Sequence, residues 1–367
     1  MSEGQEFKLS GIAMLANAGR MLDDICEHFV EHADVSREAE FALFTSKHGT
    51  ASIRMAEKKL LIELACPSEH ALQESRTSLA EHMFYFAGND SLELTWSTPE
   101  TRTAVPNLHE ATVVGAEDVT PLMRRVKFRC SNIAPFIDGD MHVRVLIPPK
   151  GRKPVWPSYR TDGRLLWPEG DDKLVVRIYT IRTVDAERGE LWIDFFQHTS
   201  LDEKTPGGDF ARDAEAGDVV GLIGPGSGSL PQARTILMIG DESALPAIAR
   251  IAAEVPAGTN IKAIIEVLDA AEEQPLPTAG NLDVRWLHRR SYPAGTTGVL
   301  ASEAEKAIAS IDAETFVWAA CEKQDVRSIR PLLKRRQHDR RLKGTSKNSM
   351  PLGPVRVCCP DGMILGD

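Results

Sequence analysis

Residues 174–182 read Leu-Val-Val-Arg-Ile-Tyr-Thr-Ile-Arg, a run of β-branched and aromatic residues typical of a β-strand. Because side chains alternate along a strand, Arg177 and Tyr179 share one face, while Ile178, Thr180 and Arg182 share the other. Taken alone, the pattern fits a half-buried strand with a surface arginine. It equally fits a binding strand that presents a cation beside an aromatic ring, so the surrounding sequence is needed to choose.

Five further apolar runs flank this strand on both sides, at residues 112–114, 123–128, 142–147, 190–196 and 218–223. Six strands separated by turns are typical of a β-barrel. We assign the barrel to residues 107–231, with a Pro- and Trp-rich insertion at residues 148–172.

Beyond Arg234, strands alternate with helices. Strands are predicted at residues 235–241, 261–268, 284–288 and 315–320, and helices at 244–254, 300–308 and 325–334. This alternation predicts a parallel sheet with both faces covered and with its ligand at the carboxyl ends of the strands. We assign this α/β domain to residues 232–367.

The first hundred residues predict a separate small α+β module. Helices are predicted at residues 16–31 and 68–87, and strands at 41–44, 51–55, 60–64 and 92–96. A polar segment with two prolines, residues 97–107, follows as a linker. The predicted fold is therefore a small α+β module, an antiparallel β-barrel and a parallel-sheet α/β domain, in that order.

Composition excludes several classes of protein. The formal net charge of −10 makes nucleic acid a poor partner. Six cysteines without a C-x-x-C pair argue against a structural zinc site or an iron–sulfur cluster. No signal peptide or membrane span is evident, so we expect a soluble cytoplasmic protein. Nothing in the sequence requires an oligomer, and we expect a monomer.

Two glycine-containing segments suggest contacts with phosphate. Residues 205–211, Thr-Pro-Gly-Gly-Asp-Phe-Ala, follow His198 and predict a turn whose paired glycines admit a phosphate, although Asp209 opposes an anion and a plain surface turn is the alternative. Residues 224–228, Gly-Pro-Gly-Ser-Gly, lack a Walker lysine and a following helix, which favours a loop that joins domains.

A third segment joins a buried strand to a helix. Residues 239–248 read Ile-Gly-Asp-Glu-Ser-Ala-Leu-Pro-Ala-Ile, with Pro246 suited to a first helical turn. A helix N-terminus at a sheet edge attracts phosphate, whereas Asp241 and Glu242 suit ribose hydroxyls or a nicotinamide amide. An acidic first turn without a ligand is the alternative.

The order of these motifs resembles the siderophore-interacting protein family, whose members are FAD-containing ferric-siderophore reductases of the ferredoxin-reductase superfamily. The resemblance covers residues 108–334 and is most specific at Arg177–Thr180 and at residues 240–246. It implies bound FAD, NADPH or NADH as electron donor, and a ferric siderophore as substrate. The first module resembles a domain of unknown function (DUF2218) that is fused to such reductases.

The resemblance also implies roles for individual residues. Arg177 would pair with the FAD pyrophosphate, Tyr179 would pack on the isoalloxazine beside Ile178, and Thr180 would hydrogen-bond near flavin N5. The ribityl and phosphate part would be supported by His198, Gly207, Gly208, Asp209, Phe210 and Ala211. The nicotinamide side would be lined by Gly240, Asp241, Ser243, Ala244, Leu245, Pro246, Ala247 and Glu322.

The chain departs from the family pattern at several points. Phe210 replaces a tryptophan, Gly208 and Asp209 replace a hydroxyl-bearing pair, and Cys321 replaces a glycine. The final residues 348–367 lack the Tyr-Trp-Arg ending. These departures bear on FAD affinity and on the closing of the site.

Other charged groups suggest contacts with an anionic ferric chelate. Arg124, Arg125, Arg144, Lys173 and Arg182 are candidates, although each also suits an ordinary surface position. The basic run at residues 334–343 predicts a solvated helix end or, alternatively, a contact with an NADPH 2′-phosphate or the chelate. His28 and His32 form an H-x-x-E-H pattern without an evident third ligand, which favours helix-surface histidines over zinc.

Three functions remain open at this point. The first is NAD(P)H-dependent reduction of a ferric siderophore through FAD, with no catalytic side chain and no resident metal. The second is a general NAD(P)H:flavin or quinone reductase. The third is a flavin- or chelate-binding protein without turnover, in which the N-terminal module is the active part.

Overall fold

The computed structural model describes residues 6–30, 33–46, 48–101, 104–198, 205–226 and 228–342, with side chains as far as Arg336. The chain divides into two compact units. The first contains the chain up to Pro106 together with Val155–Gly170. The second contains Asn107–Pro154 and the chain from Asp171 onwards.

The first unit is an antiparallel sheet of six strands with two helices on one face. Its elements are β1 (Phe7–Leu15), α1 (Ala18–Phe29), β2 (Asp34–Glu38), β3 (Phe41–Ser46), β4 (Gly49–Ala56), β5 (Lys59–Cys66), α2 (Glu69–Ala87) and β6 (Leu92–Trp96), and the strand order is β2-β3-β4-β5-β1-β6. Alternate residues of β5, Leu60, Ile62 and Leu64, are buried in the core, as expected for a sheet with one covered face. α2 begins where predicted because the Ser68 hydroxyl accepts a hydrogen bond from the Ala71 amide at 3.1 Å.

Six antiparallel strands of the second unit close into the predicted barrel. The elements are β7 (Leu108–Thr120), β8 (Met123–Cys130), α3 (Ala134–Ile137), β9 (His142–Ile147), β12 (Val175–Asp185), β13 (Glu190–Phe196), α4 (Pro206–Asp213) and β14 (Val219–Ile223), and their order around the barrel is β12-β13-β8-β7-β14-β9. Phe128, Phe136 and Phe195 are fully buried inside it. The interior is therefore a packed core, and a large ligand has to bind at its end or on its outer wall.

The central part of the insertion between β9 and β12, Val155–Gly170, belongs to the first unit. It contains a hairpin formed by β10 (Ser158–Tyr159) and β11 (Leu165–Leu166). Trp96 Nε1 donates to the Asp162 carbonyl at 2.7 Å, and Arg76 donates to the Thr161 carbonyl at 3.2 Å. The N-terminal module and the hairpin thus share one set of packing contacts, which the sequence did not predict.

The remainder of the second unit is the predicted parallel sheet. Its elements are β15 (Thr235–Gly240), α5 (Leu245–Glu254), β16 (Asn260–Val267), β17 (Asn281–His288), α6 (Val299–Ser310), β18 (Phe316–Ala320) and α7 (Lys323–Leu342), and the strand order is β17-β16-β15-β18. Met238 packs into the same cluster as α5, whereas Leu237 and Ile239 pack towards α6 and α7. Both faces are covered, as the strand–helix alternation predicts.

One predicted segment has a different conformation. Residues 205–211 were expected to form a turn, but Pro206–Asp213 form the helix α4. Pro206 at the first helical position favours this start because its missing N–H has no partner there in any case. Within the described residues, no helix combines the length and the apolar content that crossing a bilayer would require.

Candidate active site

The strand β12 presents Arg177 and Tyr179 on the face predicted from its period. In the pairing with β9, Arg177 lies opposite Val145 and Tyr179 opposite Val143, and both valines are buried in the barrel core. The Tyr179 ring packs against Phe195 with ring centroids 4.3 Å apart. Burial raises the pKa of the Tyr179 phenol, so the hydroxyl stays neutral.

Helix α4 approaches Tyr179 closely at Gly207. A Cβ atom on Gly207 would be 1.6 Å from the Tyr179 hydroxyl oxygen and 2.7 Å from its Cζ atom. Only glycine fits at this contact. The first turn of α4, whose N–H groups have no partner within the helix, therefore lies beside the strand that carries Arg177.

Arg177 and the start of α4 fit the pyrophosphate of FAD. Among the described residues, the Arg177 guanidinium donates one hydrogen bond, from Nη1 to the Val176 carbonyl at 2.9 Å, which leaves further donors for an anion. Asp209, whose charge would oppose an anion, forms an ion pair with Arg212 at 2.9 Å. A cation and a helix start are the groups that bind phosphate oxygens best.

Phe210 and Ala211 attach α4 to the barrel. The Phe210 ring is nearly parallel to that of Phe128, at 11° and with centroids 6.3 Å apart. Ala211 is fully buried, and its carbonyl accepts a hydrogen bond from Nε of Arg124 at 2.7 Å. The structure thus shows packing contacts for these two residues, and the barrel core accommodates a phenylalanine at position 210.

Ile178, Thr180 and His198 occupy other positions around the same strand. Ile178 lies opposite Arg144 and Thr180 opposite His142, on the face away from Tyr179. The His198 ring is 4.8 Å from that of Phe196, at the end of β13. The structure describes no residue between His198 and position 205, so the contacts of this histidine on that side lie outside the described chain.

A buried arginine joins the two halves of the predicted site. Arg250 of α5 is 3% exposed, and its Nη1 donates to the Ile181 carbonyl of β12 at 2.8 Å. Its Nε donates to Glu254 at 2.9 Å. α5 follows the turn at residues 240–244, and Ile181 follows Thr180 directly. The helix that continues from the segment predicted for the nicotinamide therefore lies against the strand predicted for the flavin.

Asp241 connects the carboxyl ends of β15 and β18. Its Oδ1 accepts hydrogen bonds from the amide and the hydroxyl of Ser243 at 2.9 and 2.5 Å, and its Oδ2 accepts one from the Glu322 amide at 2.7 Å. Gly240 is required here, because a Cβ atom would be 2.6 Å from the Cβ of Ala244. The structure brings these predicted residues together at the edge where parallel sheets bind ligands.

The first turn of α5 is fully packed. Leu245, Pro246 and Ala247 are buried, and Leu245 and Ala247 belong to the cluster between the helix and the sheet. A ligand at this end of α5 can therefore contact the backbone of the turn but not these three side chains.

Glu242 ties together three loops, a role that the sequence did not show. Its Oε1 accepts a hydrogen bond from the Leu268 amide, after β16, at 2.8 Å, and it forms a buried ion pair with Arg289, after β17. Burial raises the pKa of Glu242 to about 7, although Arg289 acts to lower it. A buried glutamate needs a partner for its charge. The sequence did not show this partner because Arg289 lies 47 residues away.

Two further carboxyls lie at the same edge. Glu266 accepts a hydrogen bond from the Thr297 hydroxyl at 2.8 Å. Asp325 is buried, and burial together with repulsion from Glu266 and Asp241 raises its pKa to about 6. This edge therefore suits hydroxyl and amide groups of a nucleotide better than its phosphates.

The predicted substrate-binding cations differ in their contacts. Arg125 forms a bidentate pair with Asp194 at 2.6 and 2.8 Å, and Arg124 pairs with Asp118 at 2.7 Å. By contrast, burial lowers the pKa of Arg144 and Arg182, and within the described chain neither donates a hydrogen bond. Lys173 is exposed. Arg144 and Arg182 are therefore the half-buried cations left for a ligand.

The histidine pattern of the first unit gives a packing contact. His32 lies outside the described residues. The ring of His28, on α1, is 4.5 Å from that of His82, on α2, and 5.2 Å from that of Phe29. These contacts fit the packing of one helix on the other.

Three family models match successive parts of the chain. Residues 112–229 match the siderophore-interacting FAD-binding domain, residues 233–344 match the siderophore-interacting protein model, and residues 11–97 match a protein conserved in bacteria that is uncharacterized (DUF2218). The chain belongs to the siderophore-interacting protein family. The resemblance drawn from the motifs is thereby confirmed, and so is the prediction of FAD.

Individual relatives agree with this assignment. The ferric vibriobactin reductase ViuB of Vibrio cholerae is 32% identical over 196 residues, which cover 53% of this chain and 70% of that protein. The ferric acinetobactin reductase of Acinetobacter baumannii is 27% identical over 166 residues, 44% of this chain and 55% of that protein. The crystal structure of a siderophore utilization protein from T. fusca, 30% identical, covers 73% of this chain and 98% of its own with a TM-score of 0.54.

Proposed function

We propose that this chain is a flavoprotein that uses NADPH or NADH to reduce a ferric siderophore and so releases Fe(II). The hydrogen bond from Arg250 to the Ile181 carbonyl carries the proposal, because it joins the helix after the Gly-Asp-Glu-Ser turn to the strand that bears Arg177 and Tyr179. The family assignment and the two ferric reductases among the relatives support it.

The residues present fit this chemistry. Bound FAD would supply the redox steps, taking up hydride from the nicotinamide and passing single electrons to Fe(III). Arg177 and the first turn of α4 would hold its pyrophosphate, Tyr179 would pack on its ring, and Thr180 would donate near N5. Iron leaves after reduction because hard oxygen donors hold Fe(III) more tightly than Fe(II). Arg144 and Arg182 are the cations proposed to attract an anionic chelate.

Anaerobic stopped-flow absorbance tests the proposal. The FAD-loaded protein is first reduced with NADH or NADPH and then mixed with a ferric siderophore, with a quinone, or with buffer. We expect the flavin absorbance to return fastest with the ferric chelate. A return no faster than in buffer would refute siderophore reduction, and a faster return with the quinone would favour a general reductase. A flavin that neither nucleotide reduces would indicate a binding protein without turnover.

We also propose the domain boundaries 1–100, 107–231 and 232–367, a cytoplasmic location and a monomeric state. The location is supported by Cys26, Cys66, Cys130 and Cys321, which are free and buried in the described chain, as suits a reducing compartment. Light scattering after size exclusion tests the monomer, for which the mass should be 40.3 kDa. A mass of twice that value would contradict it.

A further inference from the structure

The outward side of α7 carries a row of positive charges. Lys323, Arg327, Arg330 and Lys334 follow one another at intervals of four, three and four residues, so they lie along one side of the helix. Arg335 lies next to the last of them, and all five side chains are exposed. We refer to these five residues as the basic face.

Packing of α7 does not require these cations. The inward side of the helix is held by Val326, Ile329 and Leu333, which are buried in the cluster between the sheet and α6. The five basic side chains therefore face solvent without contributing to the core.

Among the side chains that the structure describes, which end at Arg336, no carboxylate forms an ion pair with any of the five members of the basic face. Asp325, on the same helix, is buried. On the neighbouring helix α6, Glu303 is engaged by Arg285 and Lys306, and the exposed Glu305 adjoins Lys306 in the sequence.

This uniform sign is unusual for the chain. The protein carries a formal net charge of −10, and α6 mixes both signs on its surface as solvated helices usually do. Like charges three or four residues apart on a helix repel one another and destabilise it. An external polyanion that neutralises the row would remove this repulsion.

We propose that the basic face of α7 binds the anionic headgroups of a lipid bilayer and holds the protein at the bilayer surface without insertion. A docked protein partner normally needs aromatic or large apolar anchors at the centre of its interface, and the basic face has none. Single-stranded nucleic acid needs stacking platforms, which are also missing from it. Binding to a layer of anionic headgroups requires only several cations in one row. From Lys323 to Lys334 the row is about 17 Å long at the rise of an α-helix.

The strength of the contact follows from the number of cations. Each lysine or arginine near an anionic bilayer raises the partition constant about fivefold, the equivalent of about 1 kcal/mol. The triple variant Arg327→Ala, Arg330→Ala and Lys334→Ala should therefore lower the partition constant about a hundredfold. Screening shortens the reach of these charges to about 8 Å at physiological salt, so binding should weaken steeply as salt is added.

Sedimentation with vesicles tests the proposal on the full chain. The protein should sediment with phosphatidylglycerol vesicles at low salt and stay in solution with phosphatidylcholine vesicles. The control variant Lys58→Ala, Lys59→Ala and Lys153→Ala removes the same charge from exposed positions elsewhere and should sediment like the unchanged protein. Circular dichroism and flavin content of both variants show whether each is folded.

Three outcomes would overturn the proposal. The first is equal binding to the two kinds of vesicle, and the second is a similar loss of binding in the control variant. The third is binding to double-stranded DNA or to an acidic protein together with no binding to anionic vesicles. None of these results bears on the reductase assay, because the vesicle test requires neither nucleotide nor ferric chelate.

Discussion

Replacement of Gly207 by alanine should lower both the stability of the protein and its FAD content. At an open helix position this change stabilises a protein by about 0.5–1 kcal/mol, because glycine loses more backbone entropy on folding. At Gly207 the new Cβ would be 1.6 Å from the Tyr179 hydroxyl oxygen. The ring cannot easily retreat, since its centroid is 4.3 Å from that of Phe195. Overpacking of such a site costs about 1–3 kcal/mol, so we expect a net loss of about 1–2 kcal/mol.

Two further variants separate this clash from other causes. Gly19 lies in α1, where a Cβ atom would have its nearest neighbour at 3.7 Å, so Gly19→Ala should gain the ordinary stabilisation. Tyr179→Phe removes the atom closest to the new methyl group. The double variant Gly207→Ala and Tyr179→Phe should therefore lose less stability than the sum of the two single variants.

Urea unfolding and flavin absorbance per chain measure the two effects. Movement of α4 or of the Tyr179 ring displaces the groups proposed to hold the FAD pyrophosphate and ring, so Gly207→Ala should be purified with less flavin. The reasoning would be refuted if Gly207→Ala gained stability as Gly19→Ala does and kept its full flavin content. Additive losses in the double variant would show that Tyr179 is not the obstacle.

Three other variants test separate parts of the structure. Tyr179→Ala should retain less FAD than Tyr179→Phe after dialysis, and equal retention would contradict the packing role of the ring. Asp325→Asn should raise the free energy of unfolding, because the raised pKa of Asp325 shows that the fold disfavours its ionised form. The gain should grow between pH 3.8, the ordinary pKa of an aspartate, and about pH 6, the pKa of Asp325 in the fold. The control variant Asp312→Asn, at an exposed position, should show no such gain. Arg76→Met removes the buried ion-pair partner of Glu100 and should cost about 3 kcal/mol or more in urea unfolding, whereas a loss below 1 kcal/mol would count against the pair.

Local sequence patterns account for most of what was predicted correctly. β9 and β13 have the predicted bounds, and β12 begins one residue after its predicted start, because short apolar, β-branched runs bounded by turns are a property of each segment by itself. The order of motifs then supplied the family. Gly240 and Asp241 lie at the predicted end of a buried strand beside a helix start, which is a local pattern as well.

Contacts between distant residues account for what was missed. Helix α4 was expected as a turn because two adjacent glycines disfavour a helix. Position 207 requires a glycine because of its contact with Tyr179, which lies 28 residues earlier in the sequence. The partner of Glu242 is 47 residues away, and the hairpin at residues 155–170 packs with a module that precedes the barrel. The periodicity of a single segment does not show which distant residue it will contact.

The buried carboxyls at the carboxyl edge of the parallel sheet limit which backbone amides can donate hydrogen bonds to a nucleotide there. In dinucleotide-binding folds the amides at a helix start commonly bind a pyrophosphate. Here the amides of Ser243 and Glu322 donate to Asp241, and the Leu268 amide donates to Glu242, so carboxylates already occupy these donors. The same bonds hold the ends of β15, β16 and β18 in register, which keeps α5 and its Arg250 against β12. We therefore expect the nicotinamide nucleotide to be oriented mainly by its hydroxyl and amide groups and by the flavin ring, while Asp241 and Glu242 act by fixing the turn.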